Sequence, residues 1–107
     1  MTRSVLALAV ALIMPLAARA QEVTVIQQGR KFSAAEVTVP QGSSVRFANQ
    51  DPYTHNVFSK TPGMAFDLRT QHSGAWSDVR FDQAGTADVQ CAIHPQMRMT
   101  VKVIPKP

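Results

Sequence analysis

The chain has 107 residues, 45% of them hydrophobic and 17% charged, with 7 Pro and a single Cys. That length allows one small domain and excludes a two-domain enzyme, and one Cys excludes a disulfide framework within the monomer. The formal charge is +4, but Arg3 and Arg19 lie in an N-terminal segment set apart below. Residues 21–107 keep nine basic against seven acidic side chains with no run of like charge, too even a balance for nucleic-acid binding.

The first twenty residues read as an export signal. Arg3 gives a positive start, residues 5–13 are uncharged and apolar, and Ala18-Arg19-Ala20 is the small-x-small pattern that a signal peptidase needs before Gln21. A retained anchor needs about 20 apolar residues to cross the hydrocarbon core, and this stretch is shorter. We therefore expect residues 1–20 to be a cleaved Sec-type signal peptide and residues 21–107 to work in the periplasm as one domain, without a membrane span and as a monomer. In an oxidising compartment a free thiol oxidises, pairs with another chain or is occupied by a metal.

From Val23 onward the apolar residues recur with period two, through Val25, Val37 and Val39, Val45 and Phe47, Val57, Val79 and Phe81, Ala87 and Val89, and Met99 to Val103. Turn residues separate the runs at Gln28-Gly29-Arg30, Pro40-Gln41-Gly42-Ser43, Asn49-Gln50-Asp51-Pro52, Thr61-Pro62-Gly63 and Gln83-Ala84-Gly85. The spacing predicts an all-β, two-sheet sandwich of about seven to eight strands. Residues 64–77 carry the weakest pattern and are expected to hold a long connection crossing the sandwich. A core of this size is marginal, and a bound metal adds to its stability.

The chemistry gathers near the C-terminus. Cys91, His94 and Met97 form C-x-x-H-x-x-M, with Met99 two residues on. Cys91 shares the phase of Ala87 and Val89, so it ends a strand facing inward, and a tight loop brings thiolate, imidazole and thioether to one end of the sandwich. His55 follows a turn, shares its phase with Val57 and is the candidate for the missing ligand. Two His, one Cys and a weak Met are the donors of a blue-copper electron-transfer site, whereas structural zinc takes four firm ligands and Met is a poor one. Taken singly, each residue has a plainer reading: a lone Cys is most often a buried small hydrophobe, a loop His is solvated and a Met is core.

These residues resemble the cupredoxins of the plastocyanin, pseudoazurin and amicyanin type. The likeness rests on Phe32, Glu36-Val37-Thr38-Val39, Gly42, Val45-Arg46-Phe47, Asn49, Asp51, His55-Asn56-Val57, Phe81, Gly85 and Cys91-Ala92-Ile93-His94-Pro95-Gln96-Met97, and the short Cys-to-Met loop is most like amicyanin's. The resemblance implies a Greek-key sandwich and one copper ion per chain, cycling between Cu(I) and Cu(II). His55, Cys91 and His94 would form the trigonal plane and Met97 the long axial bond, while the longer spacing of plastocyanin-like sites would select Met99. Asn56 matches the residue that ties the first His to the Cys loop. His94 would be the electron port, with Ile93, Pro95 and Met64 as an apolar rim where periplasmic redox proteins dock transiently.

Two functions fit such a site, a mobile one-electron carrier and a protein for copper handling, tolerance or delivery. Catalysis by a Cys–His pair is not expected, because no oxyanion site is visible and a closed His, His, Cys, Met set leaves no open position, so the protein reads as a non-enzyme. His72 reads as an exposed loop residue, and Tyr53 and Trp76 as packing residues with nothing to place them beside the metal.

Overall fold

The computed structural model describes residue 13 and residues 15–106. Residues 1–12 and 14 of the expected leader lie outside the described residues; Leu16–Ala18 form a single 3-10 turn. Among the described residues no helix is long and apolar enough to cross a membrane.

The period-two runs become strands because alternate side chains of an extended chain point to opposite faces. Eight are described: β1 Glu22–Gln27, β2 Glu36–Pro40, β3 Ser43–Asn49, β4 His55–Ser59, β5 Phe66–Gln71, β6 Trp76–Phe81, β7 Gly85–Gln90 and β8 Arg98–Ile104. They form two sheets, one ordered β1-β3-β6 and the other β2-β8-β7-β4-β5. β1 runs parallel to β3 and β2 parallel to β8, while the remaining pairings are antiparallel. The result is the expected all-β Greek-key sandwich.

The inward phase of β3 is the clearest, alternating buried and half-buried over all seven residues. Phe47, from its middle, is fully buried among Val25, Val45, Val57, Val89 and Val101. Its ring meets Phe32 edge-on at 6.4 Å between centroids and stacks on Phe66 at 5.9 Å, and Phe66 meets Phe81 at 6.0 Å. These separations are those of favourable aromatic pairs, and the chain of rings joins the two sheets.

One expectation is corrected. Residues 64–77 are not a long crossing connection: they hold β5, which pairs with β4 as a hairpin at the sheet edge, then a short turn, then the start of β6. The alternation is unreadable because Arg69 sits inside β5 at φ 60°, in the left-handed region, so the residues on either side of it fall out of phase. The pairing with β4 shifts register between Asn56 and Phe58. Met64 is also displaced from its expected place on the docking rim. It is buried in the core, its sulfur 3.3 Å from where a Cβ on Gly85 would stand. Gly85 begins β7 and Cys91 follows its end, roughly 20 Å away along an extended strand.

Because Phe47 links both sheets, Phe47→Ala is expected to lower stability by about 3–5 kcal/mol, read as a shift of the denaturant midpoint of the copper-free protein at unchanged m-value.

Candidate metal centre

Two strands of one sheet bring the site together. β4 and β7 are antiparallel, with Phe58 opposite Gln90 and Ser59 opposite Val89, so the start of β4 and the end of β7 meet at one end of the sandwich. His55 is the first residue of β4, and Cys91 follows the last residue of β7. Both are buried, on the inward phase expected.

The turn ahead of His55 is built by Asn49 and Asp51. Asn49 accepts the Asp51 N–H at Oδ1 (2.9 Å) and donates from Nδ2 to the carbonyls of Tyr53 and Gln71 (2.9 Å each), an Asx turn held from both sides. Asp51 accepts the backbone N–H of Gly29 at 2.7 Å and of Arg30 at 3.1 Å, and its Oδ2 lies 2.6 Å from His55 Nε2. Burial pushes the Asp51 carboxyl up, but the His55 hydrogen bond and the two backbone donors outweigh it and hold it below its ordinary value. An ionised Asp51 accepts the Nε2–H and leaves Nδ1 as the ring's free donor atom.

The second segment closes on itself. Met97 N–H donates to the His94 carbonyl at 2.9 Å, a turn with Pro95 in its first central position, and Cys91 N–H donates to the Met97 carbonyl at 3.2 Å. Asn56 joins the segments: its N–H donates to Cys91 Sγ at 3.4 Å, and its Oδ1 accepts the Ala92 N–H at 3.2 Å. Its Nδ2 donates to Asp67 Oδ1 and to the carbonyl of Arg69, the left-handed residue of β5.

The donor atoms converge as a result. His55 Nδ1 and His94 Nδ1 are 3.1 Å apart, and Cys91 Sγ is 3.9 Å from each. A point equidistant from the three lies about 2.1 Å from each atom, within the roughly 2.0–2.3 Å of metal–nitrogen and metal–sulfur bonds. A thiolate with two imidazoles is also the donor set that suits copper. The residues therefore fit a copper ion without rearrangement. Met97 is buried beside them but outside the hydrophobic core cluster, whereas Met99 is packed within that cluster opposite Val89.

His94 is half-buried. Burial, then the electrostatic influence of the neighbouring His55 ring and of the Arg30 guanidinium, push its pKa below the ordinary imidazole value, with Asp51 acting in the opposite sense. The neutral ring, which is the metal-binding form, thus persists to lower pH.

A model of the copper-binding proteins of the plastocyanin/azurin family matches residues 20–105. The chain belongs to that family. Amicyanin-alpha of Methylorubrum extorquens is 36% identical over 76 residues, which span 68% of this chain and 64% of the relative, less than two thirds of its length. A reduced Cu(I) form of an amicyanin variant superposes with a TM-score of 0.72 at 27% identity, covering 77% of this chain and 81% of the other. A copper-containing nitrite reductase from Thermus scotoductus gives the same TM-score at 23% identity, over 92% of this chain but 25% of that one, and shows a shared fold only. This cupredoxin's cofactor is one copper ion, and His55, Cys91 and His94 form its candidate site, with Met97 close by.

His72 is exposed and outside the cluster. Two expectations change. Tyr53 is not remote from the site: its ring lies 5.4 Å from that of His55 and 5.8 Å from that of His94. Trp76 is 55% exposed, outside the core, with the Arg46 guanidinium 3.7 Å over its ring. Sequence reasoning gave Asp51 no role of its own, although a carboxylate four residues before a candidate ligand, inside a turn, was the available signal.

Two measurements follow from this geometry. In copper-free protein, an NMR titration is expected to place His94 below the ordinary imidazole pKa, so that its protonation opposes folding as pH falls below about 6.5. Asp51→Asn, which keeps the size but removes the charge behind His55, is expected to weaken Cu(II) binding about 10- to 100-fold in a competition titration, with the circular dichroism spectrum unchanged.

Proposed function

We propose that residues 1–20 are an export signal and that residues 21–107 form a periplasmic type 1 copper protein that carries single electrons between redox partners. In this reading His55 Nδ1, Cys91 Sγ and His94 Nδ1 bind the ion and Met97 supplies a weak axial sulfur. Met99 serves as the first core residue of β8.

One observation carries the proposal: the three donors converge within 4.8 Å of one another, and hydrogen bonds unrelated to metal already hold them there. Copper, when bound, supplies a reversible one-electron couple. The chain's part is to keep one arrangement in both states. Asp51 fixes the His55 ring, the Asn56 N–H steadies the Cys91 sulfur, and the Met97 turn fixes His94. A frame that does not move with the charge keeps the reorganisation cost of electron transfer low. The burial of His55, Cys91 and Met97 excludes water, while half-buried His94 brings one ring to the surface beside Ile93 (53% exposed) and Pro95. A closed donor set leaves no position for a substrate, which favours a carrier over an enzyme. Among the described residues one group of His, Cys and carboxylate side chains could hold a metal, in keeping with a single redox centre.

The test is optical and EPR titration of the purified protein with Cu(II), followed by ascorbate and re-oxidation. One equivalent of intensely coloured copper that bleaches and returns is expected, and colourless or loosely held copper would favour copper handling instead. Cys91→Ser should abolish the colour. Met97→Leu should keep the colour and shift the potential, whereas Met99→Leu should cost less than about 1.5 kcal/mol of stability and leave the potential in place. A shift confined to Met99→Leu would move the axial assignment to Met99.

A further inference from the structure

The end of the sandwich that presents His94 carries a charge pattern that the metal chemistry does not use. Two grooves flank the Cys91 to Met97 loop. Arg30, Lys31, Gln96, Met97 and Arg98 line one; Asn56, Arg69, Ala92 and Ile93 line part of the other. Arg30, Lys31, Arg69 and Arg98 are all exposed, and among the described residues the charged end of none forms a salt bridge with a carboxylate, although the backbone N–H groups of Arg30 and Arg69 do donate to Asp51 and Asp67.

Two of these cations are held beside the loop by neutral groups. The Arg30 guanidinium lies over the Tyr53 ring, 5.2 Å from its centroid, and Arg98 Nη2 donates to Gln90 Oε1 at 3.2 Å. Such partners orient a positive charge without cancelling it. The exposed carboxylate among the residues lining these grooves is Asp67, already engaged by Asn56 Nδ2 and the Arg69 N–H. Elsewhere Arg46 is paired with Glu22 and Asp78, and Arg80 with Asp82, while among the described residues Lys102 and Lys106 toward the other end form no salt bridge. A chain whose residues 21–107 are nearly balanced in charge thus gathers four cations without a salt bridge around the half-buried His94 imidazole.

Charges within about 10 Å of a docking point act with little screening at 0.1 M salt, and a one-signed surface raises encounter rates by about 10- to 1000-fold for a partner of opposite sign. We propose that this face, with Ile93 as its apolar centre and Arg30, Lys31, Arg69 and Arg98 around it, docks a redox protein whose own electron-exchange surface is ringed by carboxylates. The proposal rests on the carrier reading above and adds the chemistry of the partner.

The test uses one haem protein in two charge states: a basic cytochrome c, and the same protein with its lysines succinylated and therefore acidic. Stopped-flow mixing with the reduced copper-loaded protein follows one electron passing to ferric haem, which becomes ferrous, with no atom or proton transferred. The acidic form should react at least tenfold faster than the basic form at low salt, and its rate should fall as ionic strength rises. The R30Q/K31Q/R69Q/R98Q variant should lose that advantage and the salt dependence. Its visible spectrum and its reaction with uncharged ferrocenemethanol should stay as in the parent. Lys102→Gln with Lys106→Gln, toward the other end, should change none of these rates. A faster basic form, or a variant that keeps the parent's salt dependence, overturns the proposal. If ferrocenemethanol reduces the oxidised protein but neither cytochrome exchanges electrons with it at any salt, the carrier reading itself falls.

Discussion

The site depends first on Asn56. His55 and Cys91 stand 36 residues apart, on strands whose described ladder pairs begin only at Phe58 and Gln90. Between that ladder and the donor atoms the two segments are joined chiefly by the Asn56 N–H on the Cys91 sulfur and the Asn56 carboxamide oxygen on the Ala92 N–H. The rest of the carboxamide reaches the other way, to Asp67 and the Arg69 carbonyl, so the edge strand is tied into the same junction. The left-handed residue in β5 turns its carbonyl toward Asn56, beside the point where the β4–β5 register shifts.

A second layer works by charge. A buried carboxylate with no partner would be costly; Asp51 is satisfied by two backbone donors and one imidazole, and in return it fixes which ring nitrogen of His55 faces the centre. The Asp51 bonds to Gly29 and Arg30 also tie the β1 turn to the site. That turn is where Arg30 leaves the backbone to lie on Tyr53, so one aspartate braces a ligand and sets the base of the cationic surface.

Most of the architecture was legible in the sequence because β-sandwich cores repeat with period two and this one repeats cleanly in β3, β7 and β8. The ligand candidates were legible because Cys91 ended an inward-facing run and the C-x-x-H-x-x-M spacing kept His94 and Met97 within one short loop of it, with Met99 as the alternative. What escaped had physical reasons. β5 lies at an edge and carries a left-handed residue, which erases the alternation. Met64 looked like a rim residue because nothing in a linear pattern says which end of the sandwich a loop occupies. Tyr53 and Asp51 act through contacts across a turn, and Arg30, Lys31, Arg69 and Arg98 come from three separate segments, so their common face exists only in three dimensions.

The sheet edges have a bearing on life at high concentration. An open edge is a template for pairing with another copy, and this sandwich has several, including β2, β5 and β6. β2 ends in Pro40, which has no N–H to give. β5 is bent out of register by Arg69, and β6 opens on Trp76 with the Arg46 guanidinium laid across its face. Each interruption shortens the run of backbone that a neighbour could zip onto. Pairing of copies along their own strands is thereby opposed, and the backbone turn that serves Asn56 also keeps one of those edges closed to growth.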